Sequence, residues 1–129
     1  MGKFKNCFIT QSDMYRYDIL ATEAMPQYGI SEGDLLAKAH SLTSHEKAEI
    51  ESKSYDYEVT AGNFVVKPKS SHTSRIVTIM QALDSWEFGG EITEKTIANL
   101  AEPIQIMIAN AINQHEITVN DIAVDNEKN

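Results

Sequence analysis

The residues of this chain that could do chemistry are few, and their spacing argues against most of it. The four histidines are His40, His45, His72 and His115. His40 and His45 stand five apart. That is not the i, i+4 spacing that sets two imidazoles on one helical face for a metal, and no cysteine lies near. Cys7 is the single cysteine. It lacks a catalytic setting and reads as a small buried hydrophobe. The serines of SSHTS flank His72, but sequence neighbours rarely form a triad and no Gly-x-Ser-x-Gly elbow is present, so capping is the expected duty. Gly89-Gly90 is not followed by the Gly-Lys-Ser/Thr ending of a phosphate loop. Asp84 and Glu87, three apart, read as a solvated helical face. No catalytic residue, cofactor or metal ligand is assigned, and an enzyme is not expected.

Composition narrows the rest. The chain has 129 residues and a formal charge of −8, from 19 acidic and 11 basic residues. Such a balance disfavours nonspecific nucleic-acid binding, which needs Lys and Arg to neutralise phosphates, and an anionic membrane surface. The acids are scattered, which fits a soluble, self-repelling surface better than a DNA mimic. One cysteine allows no internal disulfide, and no stretch approaches the length of a membrane span or a secretory signal. One small domain over 1–124, a disordered polar tail over 125–129 and use inside a cell are the expectations.

The elements that must position any site follow from periodicity and caps. Phe4, Phe8 and Ile9 suggest a short strand over 3–10. Ser12 can cap a helix carrying Met14, Tyr17, Ala21, Ala24 and Met25, ended by Pro26. Its rival is a strand with Tyr15, Tyr17 and Ile19 on one face. Gly29 marks a turn, and Ser31 can cap a helix through Leu35, Leu36 and Ala39. Thr43 and Glu46 have capping-box spacing, which predicts a helix to about Ser52 with few apolar residues. Residues 55–67 change character: YDYEV and NFVVK read as two strands joined near Ala61–Asn63, stopped by Pro68.

The text after Pro68 is helical. Ile76, Ile79, Met80 and Leu83 form one stripe of a helix over 72–86, closed by Trp86 and Phe88 and followed by the Gly89-Gly90 turn. Thr93 caps a short helix with Ile97 and Leu100 inward. Pro103 starts a helix with Ile104, Met107, Ile108, Ala111 and Ile112 on one face. Ile117 and Val119 suggest a short final strand. The expected fold is therefore α+β and helix-dominant, with a small β element near 55–67 followed by a C-terminal helical unit.

Two apolar features have double readings. Trp86, with Phe88, is either a core anchor at a helix corner or a hot spot for a protein partner. The stripe of Ile104, Met107, Ile108 and Ile112 is either core or an oligomer face. These six residues are the candidate protein-binding set.

The run RIVTIMQALDSWEFGGEITEKTIANLAEPIQIMIANAI, about a third of the chain, resembles a pattern in small proteins of tailed-phage structural operons. Its carriers are Ser85-Trp86-Glu87-Phe88, Thr93-Glu94-Lys95, Leu100 and the Pro-started segment to Ile112. Proteins similar to it include tail assembly chaperones, which coat the tape-measure protein before the tail tube assembles. The resemblance implies a protein partner of that kind and action in the host cytoplasm; the apolar face of the 103–115 helix separately makes a homo-oligomer an expectation. An acidic phage-encoded inhibitor of a host or defence protein and a virion structural component are the alternatives.

Overall fold

The structure, a computed structural model, describes residues 16–128. The strand expected over 3–10, Cys7, the Ser12 cap, Met14 and Tyr15 lie outside the described residues. The described chain is α+β, with helices the larger part. In order come β1 (Arg16–Leu20), a 3-10 turn (Pro26–Tyr28), β2 (Leu35–His40), α1 (Ser44–Ser54), β3 (Tyr55–Thr60), β4 (Asn63–Pro68), α2 (Ser71–Ala82), β5 (Leu83–Trp86), α3 (Glu94–Asn99) and α4 (Glu102–Lys128). No helix among the described residues is long and apolar enough to cross a membrane.

Strands β1, β2 and β5 form an antiparallel sheet with β2 in the centre. Both expected N-terminal helices are corrected by it. The segment around Tyr17 and Ile19 is the rival strand: Ile19 is buried while Arg16, Asp18 and Leu20 face out, a period of two. Leu35 to Ala39 is also strand. Ala37 and Ala39 are fully buried on either side of exposed Lys38. Alanine favours helix in isolation, but here its small side chains fit a sheet covered by packed side chains, and packing overrides propensity.

The third correction is at Trp86. The helix expected to reach it ends at Ala82, and Leu83 turns extended (φ −80°, ψ 131°). Leu83 then pairs with Ala39 and Trp86 with Ala37, and Glu87 N–H donates to Leu36 O at 2.9 Å. The open edge of β2 thus gains a partner. Asp84 and Glu87 do not share a helical face.

Other expectations hold. Thr43 and Glu46 form a reciprocal capping box, as do Thr93 and Thr96, and Ser70 caps α2. Pro103 lies in the first turn of α4, where a missing N–H costs nothing. The strand expected at Ile117–Val119 is a fourth correction: the backbone of α4 stays helical through it and on to Lys128.

The core lies between the sheet and α2, α3 and α4, built on Ile19, Leu36, Ile79, Ile97, Ile108 and Ile112. Gln105 is also buried there, at 1% exposure. Its amide donates to Leu100 O at 2.8 Å and its oxygen accepts from Arg75 Nε at 3.2 Å. It thereby satisfies a carbonyl left open where α3 ends.

Candidate functional site: an apolar β-hairpin face

Four of the six residues singled out for partner binding are taken up by the protein's own core. Ile104 is 5% exposed, Met107 6%, and Ile108 and Ile112 0%. The stripe faces the sheet and α2, so this face has nothing left to offer a partner. Trp86 and Phe88 are half-buried against the same core, with rings edge to face at 5.6 Å. The indole N–H donates to Gly89 O and Gly90 O, both at 3.1 Å. The turn that brings these carbonyls round to Trp86 needs φ near +78° at both glycines, a conformation glycine adopts without strain. Trp86 is thus held by its own corner.

The exposed apolar surface is elsewhere. Of the ten large hydrophobics exposed among the described residues, six are on the β3–β4 hairpin: Tyr55, Tyr57, Val59, Phe64, Val65 and Val66. The other four, Leu20, Tyr28, Ile106 and Ile117, are spread over β1, the 3-10 turn and α4. The register explains the concentration. Tyr55 pairs with Pro68, Tyr57 with Val66 and Val59 with Phe64, and paired residues in an antiparallel ladder point to the same face. One face is therefore apolar along its whole length, with Tyr57 stacked on Phe64 at 5.7 Å. The other face carries Asp56, Glu58 and Lys67, with Lys67 3.4 Å from Glu58 and Lys69 3.7 Å from Asp56.

Local chemistry makes the hairpin. β-branched and aromatic residues fill both strands, and the two-residue turn has φ 51° at Ala61 and 81° at Gly62. Positive φ at both positions is the twist-matched hairpin turn. Gly62 takes it freely, whereas Ala61 is strained there by about 1 kcal/mol. A two-stranded sheet with free edges is marginal in water unless something covers a face. At its base the apolar face borders a cleft of about 520 Å³ against α1 and α2, lined by Ile50, Tyr55, Tyr57 and Val66 together with Lys47 and Glu51.

Sequence reading also missed a polar seam at the start of α1. His40 Nδ1 lies 2.8 Å from Asp84 Oδ1 and its Nε2 2.8 Å from Glu46 Oε2. Ionised carboxylates only accept, so two such partners favour the imidazolium, in which both ring nitrogens donate. Burial, the largest single influence, opposes that charge. The hydrogen bonds to Glu46 and Asp84, with the charges of those two carboxylates, together outweigh it and raise the His40 pKa above its ordinary 6.5. Nearby, Ser41 Oγ is 2.7 Å from His115 Nε2, and Tyr17 stacks on His115 at 3.7 Å. Burial lowers the His115 pKa despite the Glu116 charge. Glu116 accepts from Leu42 N–H at 3.0 Å and lies 3.6 Å from Lys47 Nζ.

This seam resembles catalytic material in composition but not in access. Ser41 is 2% exposed, so a substrate carbonyl has no approach to its oxygen. Both nitrogens of His40 are engaged. No group of three or more His, Cys, Asp or Glu side chains among the described residues could hold a metal ion. What the seam does is tie β2, α1, β5 and α4 together.

Its pH dependence has a definite sign. Because folding raises the His40 pKa, its stabilisation is complete below the unfolded value near 6.5 and fades as pH rises through the folded value. His115, with a lowered pKa, works the other way and costs stability as pH falls. His40→Gln isolates the first effect. The melting-temperature gap between wild type and His40→Gln should be widest near pH 6 and narrow toward about pH 9. A gap that widens with pH would contradict the imidazolium assignment.

No protein family, curated protein or solved structure matches the chain.

Proposed function

We propose that this is a non-catalytic, client-binding protein of phage tail morphogenesis, akin to the tail assembly chaperones, acting in the host cytoplasm. The observation that carries the reading is the apolar hairpin face standing out from a body whose own core is closed. Apolar patches of this kind mark interaction sites on soluble proteins. The client would be a tape-measure protein, long and helix-rich. A helix with an apolar stripe can lie along the ladder from Val59 and Phe64 down to Tyr55 and the cleft beside Ile50. The acidic balance of the chain keeps such a holder soluble while it presents apolar surface. The run from Arg75 to Ile112, which resembles the phage pattern, folds as α2, β5, α3 and the first part of α4. In this reading it is the scaffold, and the hairpin is the working part.

Co-expression tests the reading. The tape-measure protein of the same phage should be insoluble alone and recovered in soluble complex when this chain is present. Binding should change little between about 0.1 and 0.5 M salt, because an apolar contact is not screened. Steep loss of binding with salt would favour the acidic inhibitor instead. No soluble complex with the tape-measure protein would reject the chaperone reading.

A further inference from the structure

We infer that, in the absence of a client, the apolar hairpin face is covered by the same face of a second copy, forming a two-fold dimer in which each hairpin tip seats in the other's basal cleft. The proposal concerns the client-free protein and does not depend on the identity of any client.

Three observations select this occupant. The first is area. The exposed parts of the ladder side chains amount to on the order of 500 Å² per copy, so two facing ladders remove about 1,000 Å², the lower bound for a specific interface. One hairpin cannot supply that without the matching face.

The second is complementarity within one chain. The most exposed side chains are at the tip, Val59 at 74% and Phe64 at 66%. The open space is at the base, the cleft of about 520 Å³ beside Ile50, Tyr55 and Tyr57. Val59 and Tyr55 are four residues apart, roughly 13 Å along a strand. A two-fold axis through the level of the Tyr57–Val66 pair carries the tip of each copy to the cleft of the other. Both features are then filled by one operation, as an isologous interface requires.

The third is charge. The apolar face carries no charge, so packing it on itself meets no repulsion. The competing arrangement, antiparallel pairing of two β3 edges about Tyr57, would set Asp56 directly opposite the second copy's Glu58, and like charges across a ladder are destabilising. That edge is protected against self-pairing, whereas the face is not. Val65 and Lys67 lie on the opposite face and take no part.

The test is sedimentation equilibrium of the full chain with no client, over a concentration series. The mass should rise from the 14.4 kDa monomer toward twice that value. Phe64→Asp should raise the dimer dissociation constant by about tenfold or more, while Val65→Thr, on the other face, should leave it within about twofold. Hydrogen exchange on the wild type needs no variant. Amides over Tyr55–Pro68 should exchange more slowly at high than at low concentration. A wild-type mass that stays monomeric throughout overturns the proposal. So does a Phe64→Asp chain that still dimerises, or a concentration-dependent footprint confined to another face. A wild type that stays monomeric yet binds a tape-measure segment would remove this inference and leave the proposed function standing; a wild-type dimer that binds no such segment would do the opposite.

Discussion

Ile108→Asp is expected to abolish the native fold rather than to release a folded monomer. Ile108 is 0% exposed and sits among Ile79, Ile97 and Ile112. Deleting a buried aliphatic side chain of this size costs about 2–5 kcal/mol. A carboxylate placed among these aliphatic side chains adds several more, because a charge taken out of water loses its hydration. The total reaches the roughly 5–15 kcal/mol that holds a small domain together. The cooperative thermal transition should therefore disappear. Ile106→Asp is the control on the same helix. Ile106 is 39% exposed, and the change should cost within about 1 kcal/mol. An Ile108→Asp chain with a native circular dichroism spectrum and a cooperative melt would mean the α4 stripe is a surface after all.

Phe64→Asp should do the reverse, leaving the fold and removing the binding. Phe64 is 66% exposed and touches Tyr57 across the ladder. Its loss should cost the monomer about 1 kcal/mol or less. A solvent-exposed aromatic that becomes buried in an apolar contact is worth about 2 kcal/mol or more to the complex, roughly a thirtyfold loss of affinity. Trp86→Ala provides the contrast. It should lower the melting temperature, because the indole packs on the core and ties the Gly89-Gly90 turn. At a temperature where the variant remains folded, its affinity for a tape-measure segment should match the wild type. Equal losses from both variants would place the client on the Trp86 corner.

Much of the fold was legible because its signals are local. Tyr, Val and Phe in Tyr55–Thr60 and Asn63–Pro68, a glycine between them and a proline at the end describe a hairpin with no outside help. Thr43 with Glu46, and Thr93 ahead of Ile97, describe helix starts for the same reason. What was missed depends on partners distant in the chain. Leu35, Leu36 and Ala39 read as a helix because only the sheet on both sides makes them strand residues. Leu83 to Trp86 continue a helical stripe in the sequence, and only the open edge of β2 pulls them straight. The polar seam joins His40 to Asp84 across 44 residues and Ser41 to His115 across 74. No spacing rule reaches that far.

The candidate site was half legible. The hairpin was recognised as structure, yet the partner-binding assignment went to the segments with the strongest amphipathic pattern. A strong helical stripe in a chain this short is usually the core, and Ile104 to Ile112 is core here. The informative signal was available in the strands. A two-stranded hairpin with Tyr, Tyr, Val on one side of the turn and Phe, Val, Pro on the other, at alternate positions, has a fully apolar face. Nothing elsewhere in the chain was read as covering it.

The most direct measurement is a hydrogen-exchange footprint of the wild-type chain, held dilute, with and without a tape-measure segment. The hairpin reading predicts slower exchange over Tyr55–Thr60 and Asn63–Pro68 when the segment is bound, with α4 and the Trp86 corner unchanged. Protection at the Trp86–Gly90 corner or elsewhere, with the hairpin amides exchanging as in the free protein, would contradict it.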